Sequence, residues 1–293
     1  RLFLEDLSED DDALCKTTGL LPCLGYVESR RIDGSNELIS IEQILRLPKR
    51  ISGFQTLRSI LLDEWTEESI PKTPDRLRLA VKLLESVLVL HAIGLVHKAI
   101  SPDTILVTHS DDVKIGTPYL FGFHQTRGEF QESGRSPSDP NLRKSLYIHP
   151  NNTQDTRYRP FEMLDDIYSF GVTLLEIVLW KSFFIYDKDS ENWIGDKSTL
   201  CFSEESGLPK NPALNGGKRR LLQKVVVVRK QSPKLAEIIE QCLNCREICC
   251  ADPTQIATGN EEDSEERYSE EASQAVGLAA RVIEGLRKLS TNL

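Results

Sequence analysis

The sequence predicts an α+β domain in which a few short strands precede a mostly helical C-terminal part. Two apolar runs, residues 20–27 (LLPCLGYV) and 38–47 (LISIEQILRL), have the composition of short strands. A long amphipathic pattern begins near Thr73, which is typical of a surface helix packed on a core. Residues 165–180 are apolar on nearly all sides, which indicates a buried helix.

The segments before residue 70 are predicted to be short. Residues 1–7 have the pattern of a helix end, and the acidic run 5–12 is expected to be a solvated loop. Residues 54–62 (FQTLRSILL) predict a short amphipathic helix. We expect residues 1–50 to form one part of the domain and residues 51–293 a larger helical part.

The clearest helix has signals at both ends. Thr73 is a suitable N-cap, Pro74 fits the first turn, and Gly94 is placed to end the helix. Downstream, the sequence predicts strands at 105–108 and 113–115, a loop at 124–146, an insertion at 186–217, helices at 217–230, 232–249 and 265–289, and an acidic loop near 251–271.

Composition excludes several classes of protein. The 293 residues carry a net charge of −9, which argues against a nucleic-acid binder. No apolar run reaches the roughly 20 residues that cross a bilayer, so we expect no membrane contact and an intracellular, cytoplasmic location. The first residue is Arg, which suggests a piece of a longer chain.

The cysteines allow two interpretations. Cys242, Cys245, Cys249 and Cys250 lie close enough together for a zinc site. However, the first three would share the apolar face of one helix, and four-thiolate sites usually join pairs from separate segments. We therefore expect reduced core cysteines and no metal site.

The most informative segment is residues 91–122 (HAIGLVHKAISPDTILVTHSDDVKIGTPYLFG). It resembles a protein-kinase catalytic loop followed by a metal-binding loop, with motifs of the types His-x-Asp…Asn and Asp-Phe-Gly. Two later runs, Tyr147–Pro150 (YIHP) and residues 166–171 (DIYSFG), are similar to the end of a kinase activation segment and the start of the central helix. The resemblance implies a protein-kinase-like fold with a truncated N-lobe and structural roles for His97, Phe121, Gly122, Pro150, Asp166 and Gly171.

The residues that do the chemistry in such a loop are replaced. Ala99 stands at the position of the proton-accepting Asp, Thr104 at that of the metal-binding Asn, and Leu120 at that of the Asp in Asp-Phe-Gly. None of the three is a carboxylate, and hard cations require oxygen ligands. We expect no catalytic residue and no cofactor. The alternative of an atypical kinase that binds ATP and Mg²⁺ stays open. In that case Asp103, Asp111 or Asp112 would take the place of the missing carboxylates.

A second kinase feature is also altered. Kinases pair the Glu that closes the activation segment with a late Arg, and this chain has Asn151 at the position of that Glu. Arg246 is a candidate for the late Arg without its partner, or else a simple surface residue. No Gly-rich loop precedes residue 20, and no strand Lys of the Val-Ala-x-Lys type is present.

Residues 18–182 resemble one group more narrowly, the kinase-like domains that follow HeLo-type (prion-inhibition) domains in fungal proteins. The runs that carry this resemblance are LLPCLGYV, GLVHKAI, YLFGF, YIHP and DIYSFGVTLLEIVLW. It implies a pseudokinase that regulates or binds within cell-death or self/non-self signalling, with an upstream helical domain or another protein as its partner. A structural scaffold without nucleotide is the remaining alternative.

Overall fold

Helices dominate the computed structural model, which describes residues 9–30, 38–49, 51–109, 115–123, 127–128, 145–150, 161–196, 217–249 and 261–292. Its first helix, α1, is Glu9–Thr18, followed by an antiparallel ribbon of β1 (Cys23–Arg30) and β2 (Leu38–Leu45). The predicted strands are therefore found. The predicted loop is wrong for residues 9–12, which open α1. The helix end predicted at residues 1–7 lies outside the described residues.

A three-stranded antiparallel sheet carries the loop of interest. It has the order β3 (Gly53–Thr56), β5 (Ile105–His109) and β6 (Pro118–Leu120). The helix predicted from residue 54 is wrong over its first three residues, because β3 pairs with β5. Helix α2 is Leu57–Leu62, and the Thr56 side chain caps it by accepting a hydrogen bond from the Ser59 amide at 3.1 Å.

The partner of β5 differs from the predicted one. Residues 113 and 114 lie outside the described part of the chain, and Ile115 is not in a strand. Strand β6 begins instead at Pro118, which has no amide proton to donate to a ladder and which stands at a strand start. Leu120 at its end also bridges to Leu20.

Helix α3 (Thr73–Ala92) has the predicted extent but a different cap. Lys72 is the N-cap residue, and no side chain caps the helix, so the Thr73 N-cap prediction is wrong. Pro74 lies in the first turn, where its missing amide proton costs nothing. After α3, Gly94 has a φ of 71°, the left-handed conformation that favours glycine at a helix end.

The central helix, α4 (Met163–Leu179), is buried along nearly its whole length and ends at Trp180. It packs against α3 and against α6 (Pro233–Leu243). A Cβ atom on Gly171 would lie 2.6 Å from the Cys242 Cβ, so only glycine permits this close approach of α4 and α6.

Several C-terminal predictions require correction. A hairpin of β8 (Phe184–Asp187) and β9 (Asn192–Gly195) overlaps the start of the predicted insertion. Strand β7 (Arg127–Gly128), which lies inside the predicted 124–146 loop, pairs with β4 (Leu95–Val96). Helix α5 is Gly217–Gln231, as predicted. The helix predicted at 232–249 is two helices, α6 and α7 (Cys245–Cys249), because the chain breaks at Asn244. Helix α8, Glu261–Asn292, begins within the predicted acidic loop.

The described cysteines of this region belong to the core. Cys242 and Cys245 are fully buried, and burial raises the pKa of the Cys242 thiol to about 12. Cys250 lies outside the described residues. Within the described ranges, no group of three or more His, Cys, Asp or Glu side chains is arranged to hold a metal ion. The same residues include no helix with the length and apolar composition needed to span a bilayer.

Candidate functional site

The loop from His97 to Thr104 is held by one buried carboxylate. Asp166, in the first turn of α4, accepts hydrogen bonds from the His97 amide at 2.7 Å and the Lys98 amide at 3.0 Å. Its Oδ2 also accepts from His91 Nε2 at 3.1 Å. Lys98 has a φ of 67°, an uncommon conformation for a side chain other than glycine. The carboxylate therefore fixes a strained loop against the central helix.

Both ring nitrogens of His97 are used within the fold. Nε2 donates to the Phe121 carbonyl at 3.0 Å, and Nδ1 accepts from the Ala99 amide at 3.3 Å. The ring of Phe123 contacts His97 edge-on, with 5.2 Å between the ring centroids. Gly122 has a φ of 82°, which lets the chain turn between the two Phe residues. This arrangement gives His97 a structural role and leaves no free nitrogen for proton transfer.

Thr104 is committed to the loop in the same way. Its hydroxyl donates to the carbonyls of Ala99 at 2.7 Å and Ser101 at 3.1 Å, and it accepts from the Ser101 amide at 3.2 Å. These contacts close the turn Pro102–Thr104 that leads into β5. A hydroxyl with this many backbone partners is poorly placed to bind a metal ion.

Ala99 and Leu120 offer no polar side-chain atom. Leu120 is 0% exposed, lies in the main hydrophobic core and donates its amide proton to the Gly19 carbonyl at 2.9 Å. Because the ring of Phe123 lies edge-on against His97, Gly122 is an alternative equivalent of the metal-binding Asp. Neither Leu120 nor Gly122 carries a carboxylate.

Asp103, one residue before Thr104, faces a buried arginine. Arg58 of α2 is 2% exposed and donates to the Asp103 carboxylate at 3.2 Å and to the Glu176 carboxylate of α4 at 2.7 Å. It also donates to the Tyr147 hydroxyl at 2.6 Å and to the Ser182 hydroxyl at 2.7 Å. We call Arg58, Asp103, Tyr147, Glu176 and Ser182 the Arg58 cluster.

The Arg58 cluster joins segments that are far apart in sequence. Burial acts to lower the pKa of Arg58, but Glu176, Tyr147 and Asp103 more than offset it and raise that pKa. Tyr147 donates to the second oxygen of Glu176 at 2.6 Å. The cluster therefore ties α2, the kinase-like loop, the Tyr147 segment and α4 together around one cation.

A second arginine lies beneath the start of α4. Arg246 is 8% exposed and donates to Glu162 at 2.7 Å and to Asp165 at 3.0 Å. Burial acts to lower the pKa of Arg246, and the two carboxylates more than offset it, so the guanidinium stays charged. The interpretation of Arg246 as an exposed or unpartnered residue is wrong. Its partners are on α4 and just before it, and Asn151 lies outside the described residues.

His149 packs next to this second cluster. It is 1% exposed, and its ring meets Tyr168 edge-on at 4.9 Å between centroids. Burial lowers the pKa of His149 to about 4, so the ring is neutral at physiological pH. Pro150 follows it at the last described residue of this segment.

Among the residues that the structure describes, the side chains at the kinase-like loop do not offer the oxygen ligands that Mg-ATP needs. Ala99 and Leu120 have no oxygen ligand, the Thr104 hydroxyl is occupied by backbone contacts, and the Asp103 carboxylate faces Arg58. Asp111 and Asp112, the other acidic substitutes considered, lie outside the described residues.

The sequence predicts the loop and the structural role of Asp166, but not the two arginine clusters. Glu162, Glu176 and Tyr147 were not singled out as ion-pair residues, and Arg58 was not predicted at all. One signal was present, because a Glu at 176 within a strongly apolar helix needs a buried cation. Nothing in the local sequence of α2 marks Arg58 as that cation.

One comparison with known proteins identifies a kinase family. The family model described as protein tyrosine and serine/threonine kinase matches residues 41–192, just over half of the chain. The matched range includes the 97–104 loop, β6 and the whole of α4. The chain matches no curated protein.

Proposed function

The chain belongs to the protein tyrosine and serine/threonine kinase family, and on that basis we propose that it is a kinase-like module that binds and regulates without transferring phosphate. One observation carries the proposal. Every described side chain at a position for proton transfer or metal binding is either apolar or already hydrogen-bonded within the fold.

The chemistry of phosphoryl transfer supports this proposal. The reaction needs Mg²⁺ on the phosphates and an Asp that orients the attacking hydroxyl. Loss of a positioned acid or base commonly costs a factor of about 10²–10⁴ in rate, and Ala99 has no group for that role. Leu120 or Gly122 removes a metal ligand as well, so two independent requirements are unmet.

The competing function is an atypical kinase in which another carboxylate replaces the missing Asp. Asp103 is the nearest described acid, but its Oδ2 is 3.2 Å from Arg58 Nη2. Using this carboxylate as a proton acceptor would remove one of the two carboxylates that pair with the buried Arg58 guanidinium. The contact therefore favours a structural role for Asp103.

The partner of such a module is also a proposal. The resemblance to fungal kinase-like domains suggests an upstream HeLo-type helical domain of the same chain, or another protein, as what this domain regulates in cell-death or self/non-self signalling. No cofactor is required for that role. Regulation of this kind needs two states of the domain and a contact that differs between them.

A phosphate-transfer assay tests the loss of catalysis. The full-length protein is incubated with labelled ATP and Mg²⁺, with and without a generic protein substrate. We expect no label above that of a heat-denatured control. Robust transfer that disappears in Asp103→Asn would establish the atypical kinase and refute the proposal.

Thermal unfolding with and without ATP separates a nucleotide-responsive module from one that needs no nucleotide. We expect the same midpoint with ATP, Mg-ATP and buffer alone, because the metal ligands are missing. A midpoint that rises only with Mg-ATP would show a working metal site and contradict the assignment of Thr104 and Leu120.

A further inference from the structure

The outward side of helix α5 exposes aliphatic side chains between cations. Val226 is 52% exposed and Val227 is 45% exposed. Arg219, Gln223 and Lys230 are exposed as well, and the helical repeat of 3.6 residues brings them to the same side. We call these five residues the α5 outer face.

The orientation of α5 is fixed by its opposite side. Leu221, Val225 and Val228 are at most 2% exposed and belong to the main core. Val226 and Val227 therefore cannot turn inward without exposing these residues. Helix propensity does not explain why valines occupy these two exposed positions, because valine is a weaker helix former than alanine, lysine or glutamine.

The charges around α5 are one-sided. Residues 217–236 contain no Asp or Glu, although the whole chain has a net charge of −9. The cations that point toward the neighbouring helices are paired, Lys218 with Glu247 of α7 and Arg229 with Glu240 of α6. Arg219 and Lys230, on the outer face, have no ion-pair partner among the residues that the structure describes.

We propose that the α5 outer face is a docking site for an acidic segment of a partner protein that also presents aliphatic side chains. The two valines supply apolar area, and Arg219 and Lys230 select an acidic partner and set its register. Exposed apolar side chains rimmed by charges of one sign are typical of protein interaction sites.

Two other occupants fit these residues less well. A membrane-surface helix inserts Trp, Phe or Leu, and this face has only two short valines on a chain whose net charge would be repelled by anionic lipid. A symmetric contact with a second copy would place Arg219 and Lys230 of both copies together, and like charges oppose each other there.

A synthetic peptide with a leucine stripe flanked by Glu is a suitable probe, with a twin in which Lys replaces every Glu. Binding to the full-length protein is measured by fluorescence anisotropy at low salt. We expect the acidic peptide to bind and its twin not to bind. We expect R219E/K230E to weaken binding by about tenfold or more, and V226S/V227S by about fivefold to tenfold.

The matched control makes the same change in net charge at two residues outside α5. Lys16 and Lys188 are exposed and lie outside α5, so K16E/K188E alters the net charge equally. We expect it to bind the acidic peptide within about twofold of the unchanged protein. Thermal unfolding of each variant separates lost binding from lost folding.

Four results would overturn the docking site. The first two are that the acidic peptide does not bind, or that K16E/K188E loses as much binding as R219E/K230E. The third is that the protein binds vesicles of phosphatidylcholine and phosphatidylserine more tightly than the peptide and that R219E/K230E abolishes this binding. The fourth is that the protein sediments as a dimer and that V226S/V227S converts it to a monomer. The site does not depend on the loss of catalysis. Phosphate transfer by the chain would refute the proposed function and leave the α5 outer face unaffected.

Discussion

The 97–104 loop and the ionic clusters beneath it are adjacent in space and opposite in character. At the positions that would face a substrate, the loop has the methyl group of Ala99 and the bound hydroxyl of Thr104. Underneath, Asp166, Arg58 and Arg246 each make several charge-assisted hydrogen bonds. The ion pairs that hold the loop in place are therefore present in the described structure, and our proposal is that the groups that would use the loop are replaced.

In an active kinase, carboxylates of this region serve both catalysis and the stability of the fold. A carboxylate on the loop surface contributes to catalysis, whereas a buried carboxylate stabilises the fold. Only removal of the buried carboxylate leaves its partners without a compensating charge. Substitutions in the two regions should consequently have very different effects on stability.

The largest effect is expected from Arg58→Met. This change leaves the fully buried Glu176 carboxylate without its cation, so the free energy of unfolding should fall by about 3–5 kcal/mol. Urea denaturation measures it. Arg78→Met is the matched control, because Arg78 forms an ion pair with Asp75 at 2.8 Å between side chains that are 63% and 46% exposed. This substitution should lower the free energy of unfolding by less than about 1 kcal/mol. Equal losses in both variants would refute the importance of the Arg58 cluster.

Asp166→Asn should come next, with a loss of about 3 kcal/mol. An amide oxygen carries no full charge, and its nitrogen cannot accept the Lys98 amide proton. Hydrogen exchange of the His97 and Lys98 amides should speed up more than exchange in α8. Asp63→Asn on the surface is the control, with a change within about 0.5 kcal/mol. Unchanged exchange at the two amides would contradict the loop-holding role.

Acidic pH should weaken the fold through His149. The unfolded chain takes up a proton on this ring below pH 6.5, whereas the folded protein, with a pKa of about 4, does not. The contribution of the neutral His149 ring to the free energy of unfolding is complete above pH 6.5. It is lost as the pH falls, and the loss is about 2 kcal/mol near pH 5. His149→Phe removes this titration and keeps a ring against Tyr168. Stability curves of the two proteins that run parallel between pH 7.5 and 5 would contradict the assignment.

The smallest effect concerns the loop itself. Thr104→Val removes the hydroxyl that closes the Ala99–Thr104 turn and should cost about 1 kcal/mol. Thr104→Ser keeps the hydroxyl and should stay closer to the unchanged protein. If Ser and Val variants lose the same stability, the hydroxyl does not hold the turn.

The helical framework and the order of motifs could be predicted from the sequence because both depend on local patterns. The spacing of apolar residues predicted α3, α4 and α5, and the run from Asp166 to Gly171 predicted the start of the central helix. The loop from His97 to Thr104 was found because its residue types stand in a fixed order.

What the sequence did not predict depends on distant contacts. Strand β3 exists because it pairs with β5, more than forty residues later. Arg58 meets Glu176 across a separation of 118 residues. The break at Asn244 follows from the packing of α6 and α7 on α4. Local composition cannot report any of these, because the energy that decides them comes from the partner segment.

The burial of Leu120 determines the cost of a single substitution to Asp at this position. An Asp introduced there would place a carboxylate in a fully dry part of the core, and an unpaired buried charge costs several kcal/mol. Ala99→Asp alone would supply a proton acceptor but no metal. A carboxylate at position 120 would therefore require new packing around β6 as well as the substitution itself.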